Sequence, residues 1–246
     1  MNRFIAHFVM AVAVLIGGGS LLLFAVFLTI GPIHLIRIDL SVNRILLWDA
    51  LLSFIFFIQH SAMVRSGFRG RIALLIPPHF YRSFYAIASG IALTTTVLLW
   101  IPSPTILYRL EGPFRLMLRA LTLLSVAGFW WGVRSLKHFD TFGVSAVKTY
   151  LKGREPWPSR FALAGPYLWV RHPLYFFTLV IIWSAPEGSL DRLLFNVLWT
   201  LWILLGSYLE EKDLVAEFGD SYRQYQRRLP MLIPWRLPDR KTAKSH

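Results

Sequence analysis

The sequence contains no cysteine. That absence excludes disulfides, thiolate metal sites, iron–sulfur clusters and a cysteine nucleophile. Charge is scarce as well. Asp, Glu, Lys and Arg make up 16% of the 246 residues, whereas a soluble domain carries about 25%. The deficit means that most of the surface does not face water. Acidic residues are the scarcer sign, 13 against 26 basic, for a formal net charge of +13. In a soluble protein this imbalance would suggest a nucleic-acid partner. Here the basic residues sit between apolar runs, where they act as topology signals and headgroup contacts, so no nucleic acid is expected. Internal repeats, low-complexity tracts and a soluble domain are also lacking.

What is present is apolar length: 55% of the residues are hydrophobic. Six apolar stretches run about 5–29, 45–64, 84–101, 114–133, 174–185 and 190–209. A helix needs about 20 residues to cross a hydrocarbon core of about 30 Å. Five stretches meet or approach that length, and Leu174 to Ala185 falls short. The first stretch is too long in its apolar core for a cleaved signal peptide and has no small-x-small cleavage site, so it reads as a retained span. Gly17, Gly18 and Gly19 within it suit close packing or a kink. The expected fold is all-α: a polytopic integral membrane helical bundle of about six spans, with a C-terminal helical hairpin and a cytoplasmic interfacial helix. Residues 1–133 would form a four-span N-terminal bundle. Residues 134–246 would supply a cytoplasmic linker, the hairpin and a tail.

With the N-terminus inside and six alternating spans, 20 basic residues fall on the inner side and 5 on the outer, Arg119 lying within a span. The positive-inside rule then puts both termini and two large loops in the cytoplasm.

The most informative segment is Gly165-Pro166-Tyr167-Leu168-Trp169-Val170-Arg171-His172-Pro173-Leu174-Tyr175, just ahead of the short fifth stretch. Pro173 has no amide hydrogen and suits the first turn of a helix. Arg171 and His172 would sit at that helix start, where free amides and the dipole favour an anion. A 12-residue helix extends about 18 Å, so its start can lie below the membrane surface and line a pocket. Taken alone, Arg171 and His172 read as interfacial anchors, and Tyr167, Trp169 and Tyr175 as interface aromatics. Glu210 and Glu211 follow the sixth stretch and alone read as a solvated exit cluster. The link at about 186–189 makes the last two stretches an antiparallel hairpin, which should bring Arg171, His172, Glu210 and Glu211 together. Beyond them Gly219 interrupts a helix, Asp220 is suited to cap a new one, and Tyr222 and Tyr225 share its face. Pro230 ends it.

Three further polar features lie in or near the spans: Asp49, Gln59-His60-Ser61 and His138-Phe139-Asp140. Polar groups in a membrane are costly and therefore functional suspects, although interhelical hydrogen bonding accounts equally well for Gln59 and Ser61. His60 and His138 are candidate general bases, since histidine titrates near neutral pH. Two histidines and an aspartate match no recognised metal-ligand spacing, so no metal is expected.

Arg171-His172-Pro173 with Tyr175, then Glu210-Glu211, Phe218-Gly219, Tyr222, Tyr225, Pro230 and Ile233-Pro234 resembles the C-terminal signature of the isoprenylcysteine carboxyl methyltransferase and phospholipid methyltransferase superfamily, over about residues 164–235. Gln59 to Arg65, Pro77-Pro78, Arg82-Ser83, His138 to Gly143 and Pro230-Met231-Leu232 further resemble the bacterial methanethiol S-methyltransferase branch, which borders on the NnrU-like proteins. The resemblance implies S-adenosylmethionine as methyl donor, held by Tyr167, Arg171, His172, Pro173, Tyr175, Glu210 and Glu211. Catalysis would be in-line methyl transfer driven by positioning, with His60 or His138 as base and Asp140 as its orienter. Residues 134–246 would then be the methyltransferase core, in a bacterial inner membrane.

Ala185-Pro186-Glu187-Gly188-Ser189 departs from the more apolar or threonine-bearing turn of the small-thiol branch. Three readings follow: methylation of a small thiol such as methanethiol, methylation of a lipid-borne prenylcysteine carboxylate or phospholipid amine, or a non-catalytic NnrU-like membrane protein. Transport is disfavoured, because the polar residues cluster at one face. The oligomeric state is left open.

Overall fold

A computed structural model describes residues 3–33, 39–136, 140–154 and 163–235. Helix α1 (Arg3–Ala13) runs through a π-helical turn (Val14–Gly18) into α2 (Gly19–Thr29). Then come α3 (Val42–Val64), α4 (Ser66–Ile72), α5 (Tyr81–Leu98), strand β1 (Ile106–Arg109), α6 (Gly112–Ser135) and α7 (Val144–Leu151). The chain ends with α8 (Pro173–Trp183), strand β2 (Glu187–Ser189), α9 (Leu190–Phe218) and α10 (Asp220–Arg228). Among the described residues four helices are long and apolar enough to cross a membrane: Arg3–Thr29, Val42–Val64, Gly112–Ser135 and Leu190–Phe218. Their large apolar side chains point outward, as Leu22, Ile58, Leu116 and Leu123 do. Such exposure is intelligible only when the surroundings are lipid. The protein is an all-α integral membrane bundle.

The stretch expected at 84–101 is the 18-residue α5, which carries Ser83, Ser89 and Thr94 to Thr96. The short fifth stretch is shorter still, an 11-residue α8 about 16 Å long. The sixth does not stop at 209. Helix α9 runs on to Phe218 and keeps Glu210 and Glu211 in regular helical register. Gly219, at φ +56°, makes the break before α10. Gly219 is therefore the cap residue, and Asp220, expected in that role, is the first helical residue and makes no side-chain cap bond. Two short strands, β1 and β2, were not expected and form a two-stranded ribbon.

The chain divides into two compact units, each drawn from separate stretches of sequence. The first holds residues 1–107, 140–158 and 189–198. In it α5 packs against α1, α2 and α3. The π turn widens the first helix at its glycines, and Gly17 and Gly90 carry no side chain where a neighbour crosses. A Cβ on Gly90 would stand 2.9 Å from the Ile16 carbonyl oxygen, and one on Gly17 2.9 Å from the Phe142 ring. Buried polar groups tie the unit together. Asp191, 1% exposed, accepts from Trp100 Nε1, the Ser103 amide and Ser189 Oγ at 3.0, 2.9 and 2.6 Å. Arg192 Nη2 donates to the Leu28 carbonyl at 2.9 Å, satisfying an orphan carbonyl at the end of α2. Asp49 accepts from the Ile101 amide at 3.0 Å.

The second unit holds residues 108–139, 159–188 and 199–246. Its central contact is α6 against α8, made possible by Gly128 and Gly132, one turn apart. A Cβ would lie 2.3 Å from the Phe177 ring at Gly128 and 2.6 Å from Leu174 at Gly132. This is the small-xxx-small device that lets membrane helices approach closely. The loop that departs from the small-thiol pattern has a local structural explanation. Arg109 pairs with Glu187 through two hydrogen bonds of 3.0 and 2.8 Å, and a Cβ on Gly188 would strike the Tyr108 ring at 2.2 Å.

Replacing Gly128 or Gly132 with Val should force α6 and α8 apart at a cost of about 2 kcal/mol or more. Thermal unfolding in detergent should show a lowered midpoint for each variant. An unchanged midpoint would mean that the close crossing does not contribute to stability.

Candidate functional site

The site is built around the start of α8. Gly165, at φ +57°, begins a 3-10 turn (Gly165–Leu168) and must be glycine, because a Cβ there would fall 2.1 Å from Ser135 Oγ. Arg171 and His172 then pass beside the C-terminal segment. Their amides donate to the Pro230 and Met231 carbonyls, both at 3.0 Å. Pro173 opens α8 at its first position, as expected of a residue with no amide hydrogen.

Glu211 comes to this point from α9, 7% exposed, and acts as a shared acceptor. Its Oε1 accepts from Arg171 Nε at 2.8 Å, His172 Nε2 at 3.0 Å and Tyr222 OH at 2.9 Å. Its Oε2 accepts from Gln226 Nε2 at 2.6 Å. A carboxylate only accepts, so His172 carries its proton on Nε2. Arg171 Nη1 donates to the Gln226 and Leu229 carbonyls at 2.7 and 2.9 Å. It thereby binds the carbonyl end of α10, where the dipole favours a cation. Tyr225 OH donates to the Tyr167 carbonyl at 2.7 Å, fixing α10 to the turn before α8.

Glu210, one residue earlier, differs. Its side chain is 45% exposed. Oε2 accepts from Tyr175 OH at 2.8 Å and lies 3.8 Å from His172 Nδ1. The His172 and Tyr175 rings stack at 5.5 Å. One glutamate of the pair is thus enclosed and saturated, and the other is accessible beside an aromatic face and a helix start.

Three comparisons with known proteins bear on this arrangement. No protein-family model and no solved structure matches the chain. Methanethiol S-methyltransferase 1 of Bradyrhizobium diazoefficiens is 36% identical over 203 residues, 80% of this chain and 70% of that protein. Methanethiol S-methyltransferase of Mycobacterium tuberculosis is 34% identical over 182 residues, 74% and 75% of the two chains. The chain belongs to the methanethiol S-methyltransferase family. Nurim of Rattus norvegicus is a more distant relative, 25% identical over 189 residues, 72% of this chain and 70% of that protein. Membership agrees with the branch that the motifs resemble, and it implies a methyl donor.

Two other candidate residues of this family member, His60 and Asp140, lie in the first unit. His60, on α3, hydrogen-bonds Tyr85 OH of α5 with a ring nitrogen at 2.9 Å, and its ring lies 5.2 Å from that of Phe56. Asp140 Oδ2 accepts from the Ala146 amide at 2.9 Å and so caps α7. His138 lies outside the described residues. Among the described residues no group of three or more His, Asp or Glu is arranged to hold a metal ion.

Sequence reasoning did not assign Tyr222 and Gln226 to the site. They stand four apart on α10, so an i, i+4 reading of the polar face contained the signal. Tyr85 gave no such signal, because its pairing with His60 depends on how α5 meets α3.

The enclosed phenols make the cluster sensitive to alkali. Burial, reinforced by the Glu211 carboxylate, pushes the Tyr222 phenol far above its ordinary value, and burial does the same to Tyr225. A phenol kept neutral in the fold but ionising near pH 10 in the unfolded chain contributes stability that is fully present below about pH 10 and lost as pH rises further. Melting points measured across pH 8 to about 12 should fall above pH 10, and Tyr222→Phe should flatten that fall while lowering stability at pH 8. Glu211→Ala should cost about 3–5 kcal/mol by stranding Arg171. Identical alkaline profiles for the wild type and Tyr222→Phe would rule out the phenol as the sensitive group.

Proposed function

We propose that this integral membrane protein transfers a methyl group from S-adenosylmethionine to methanethiol, giving a thioether. The observation that carries the reading is the accessible Glu210–Tyr175 pair at the start of α8, in a chain that belongs to the methanethiol S-methyltransferase family. A donor with a carboxylate, a ribose diol, an ammonium and a sulfonium needs a free carboxylate, a π face and helix-start amides. Glu210, Tyr175 and the first turn of α8 are of those types. Bound there, S-adenosylmethionine would supply an electrophilic methyl on a positively charged sulfur.

The seven expected donor-site residues divide into two groups in this proposal. Glu210, Tyr175 and Tyr167 face the donor. Arg171, His172, Pro173 and Glu211 hold the wall in place, since the Arg171 and Glu211 side chains are only 11% and 9% exposed and committed to each other. His172 joins the groups, stacked on Tyr175 and bonded to Glu211.

The acceptor thiol is mostly protonated at neutral pH and attacks as thiolate. His60 is the proposed base, oriented by Tyr85, with His138 the alternative. Asp140 acts as a positioning residue through its cap on α7. We place the protein in a bacterial inner membrane with both termini cytoplasmic, on the excess of basic residues in the corresponding loops.

Purified protein should bind labelled S-adenosylmethionine and methylate methanethiol. Glu210→Gln should weaken donor binding about tenfold to a hundredfold, the value of a charge-assisted hydrogen bond. A folded sample that binds no donor, or one that methylates only a prenylcysteine or a phospholipid, would refute the reading. The absence of native cysteine permits a clean topology test. A membrane-impermeant maleimide added outside intact cells should label Glu111→Cys and not Ser221→Cys. The reverse pattern would invert the orientation.

A further inference from the structure

We propose that the outer face of α10, together with Ile233 and Trp235, docks onto anionic phospholipid headgroups, and that this contact holds the Glu211 cluster closed. The two faces of α10 have different neighbours. Tyr222 and Tyr225 are buried, and Tyr222 and Gln226 both donate to Glu211. The opposite face presents Arg223, Arg227 and Arg228, all exposed. Arg223 touches the exposed Asp220 at 3.2 Å, a surface pair that contributes little. Among the described residues Arg227 and Arg228 have no ion-pair partner.

The segment after α10 selects lipid over other anions. Its pairing with Arg171 and His172 through Pro230 and Met231 returns the chain to the start of apolar α8. Ile233 and Trp235 follow at once, 64% and 66% exposed, and Trp169 is exposed two residues before Arg171. Exposed tryptophan and isoleucine beside arginines, at the end of an apolar helix, are the pairing that a headgroup boundary accepts. A nucleic acid or acidic protein would use the arginines and leave Ile233 and Trp235 in water. Near an anionic surface each arginine contributes about 1 kcal/mol.

The consequence is a coupling. Two of the four donors to Glu211 come from α10, and Arg171 holds the end of that helix by two carbonyls. A lipid that restrains α10 therefore restrains the wall of the donor site, so the last part of the test rests on the function proposed above.

The experiment compares the full chain in nanodiscs of phosphatidylcholine alone and of phosphatidylcholine with phosphatidylglycerol. The first readout is hydrogen exchange of the α10 backbone amides. Protection should be higher in the anionic discs by about fivefold per arginine engaged, and high salt should abolish the difference. The double variants Arg227→Glu/Arg228→Glu and Arg227→Ala/Arg228→Ala should each lose most of it. Equal protection in the two discs, or an undiminished difference in both variants, would overturn the proposal. The second readout is binding of labelled S-adenosylmethionine, which should be tighter in the anionic discs for the wild type only. Lipid-dependent protection without any donor binding would preserve the docking and refute the proposed function instead. Donor binding indifferent to a lipid that does protect α10 would overturn the coupling.

Discussion

The carboxylate of Glu211 is the point on which the second unit depends. Four donors from two helical neighbourhoods converge on it: Arg171 and His172 from the start of α8, Tyr222 and Gln226 from α10. An enclosed carboxylate is costly unless its lone pairs are used and an opposite charge stands close. Here both conditions hold, and meeting them dictates the local geometry. Arg171 must turn inward, so its Nη1 binds the end of α10. His172 must donate from Nε2, which leaves Nδ1 toward Glu210. The adjacent glutamate is then the one that remains accessible.

This division of labour between neighbouring glutamates gives the family motif a physical sense. Two acidic residues in sequence on one helix point about 100° apart. One can be committed to structure while the other meets solvent or a ligand. The arginine and histidine of the triplet act chiefly on the committed one. Strength at the site thus comes from a saturated network, and the accessible Glu210 carboxylate lies outside it.

The first unit follows a different economy. Its buried acids, Asp49 and Asp191, hold backbone amides and an indole where the helices end. Arg192 closes the carbonyl end of α2 in the same way. These groups do in apolar surroundings what water does at the ends of soluble helices. Asp140 belongs to this class by its cap on α7, whereas His60, bonded to another side chain, does not.

Much of this was legible in the sequence because the membrane imposes simple rules. Apolar length marks spans, Pro173 marks a helix start, and a short link between two apolar helices forces Arg171 and His172 toward Glu210 and Glu211. The motifs themselves pointed to the family. Gly128 and Gly132, one turn apart, carried a packing signal of the same directness that the motif reading passed over. Other features were not legible. The sequence treats Glu210 and Glu211 alike, and only the rotation of α9 against α8 and α10 decides which is enclosed. The pairing of Tyr85 with His60 depends on the crossing of α5 over α3. The interleaving of distant stretches into two units depends on long-range packing. Local composition determines which segments enter the membrane, because transfer from water is a sum over residues. Which polar groups meet is a matter of distance and angle between helices, and that is decided only when the helices pack.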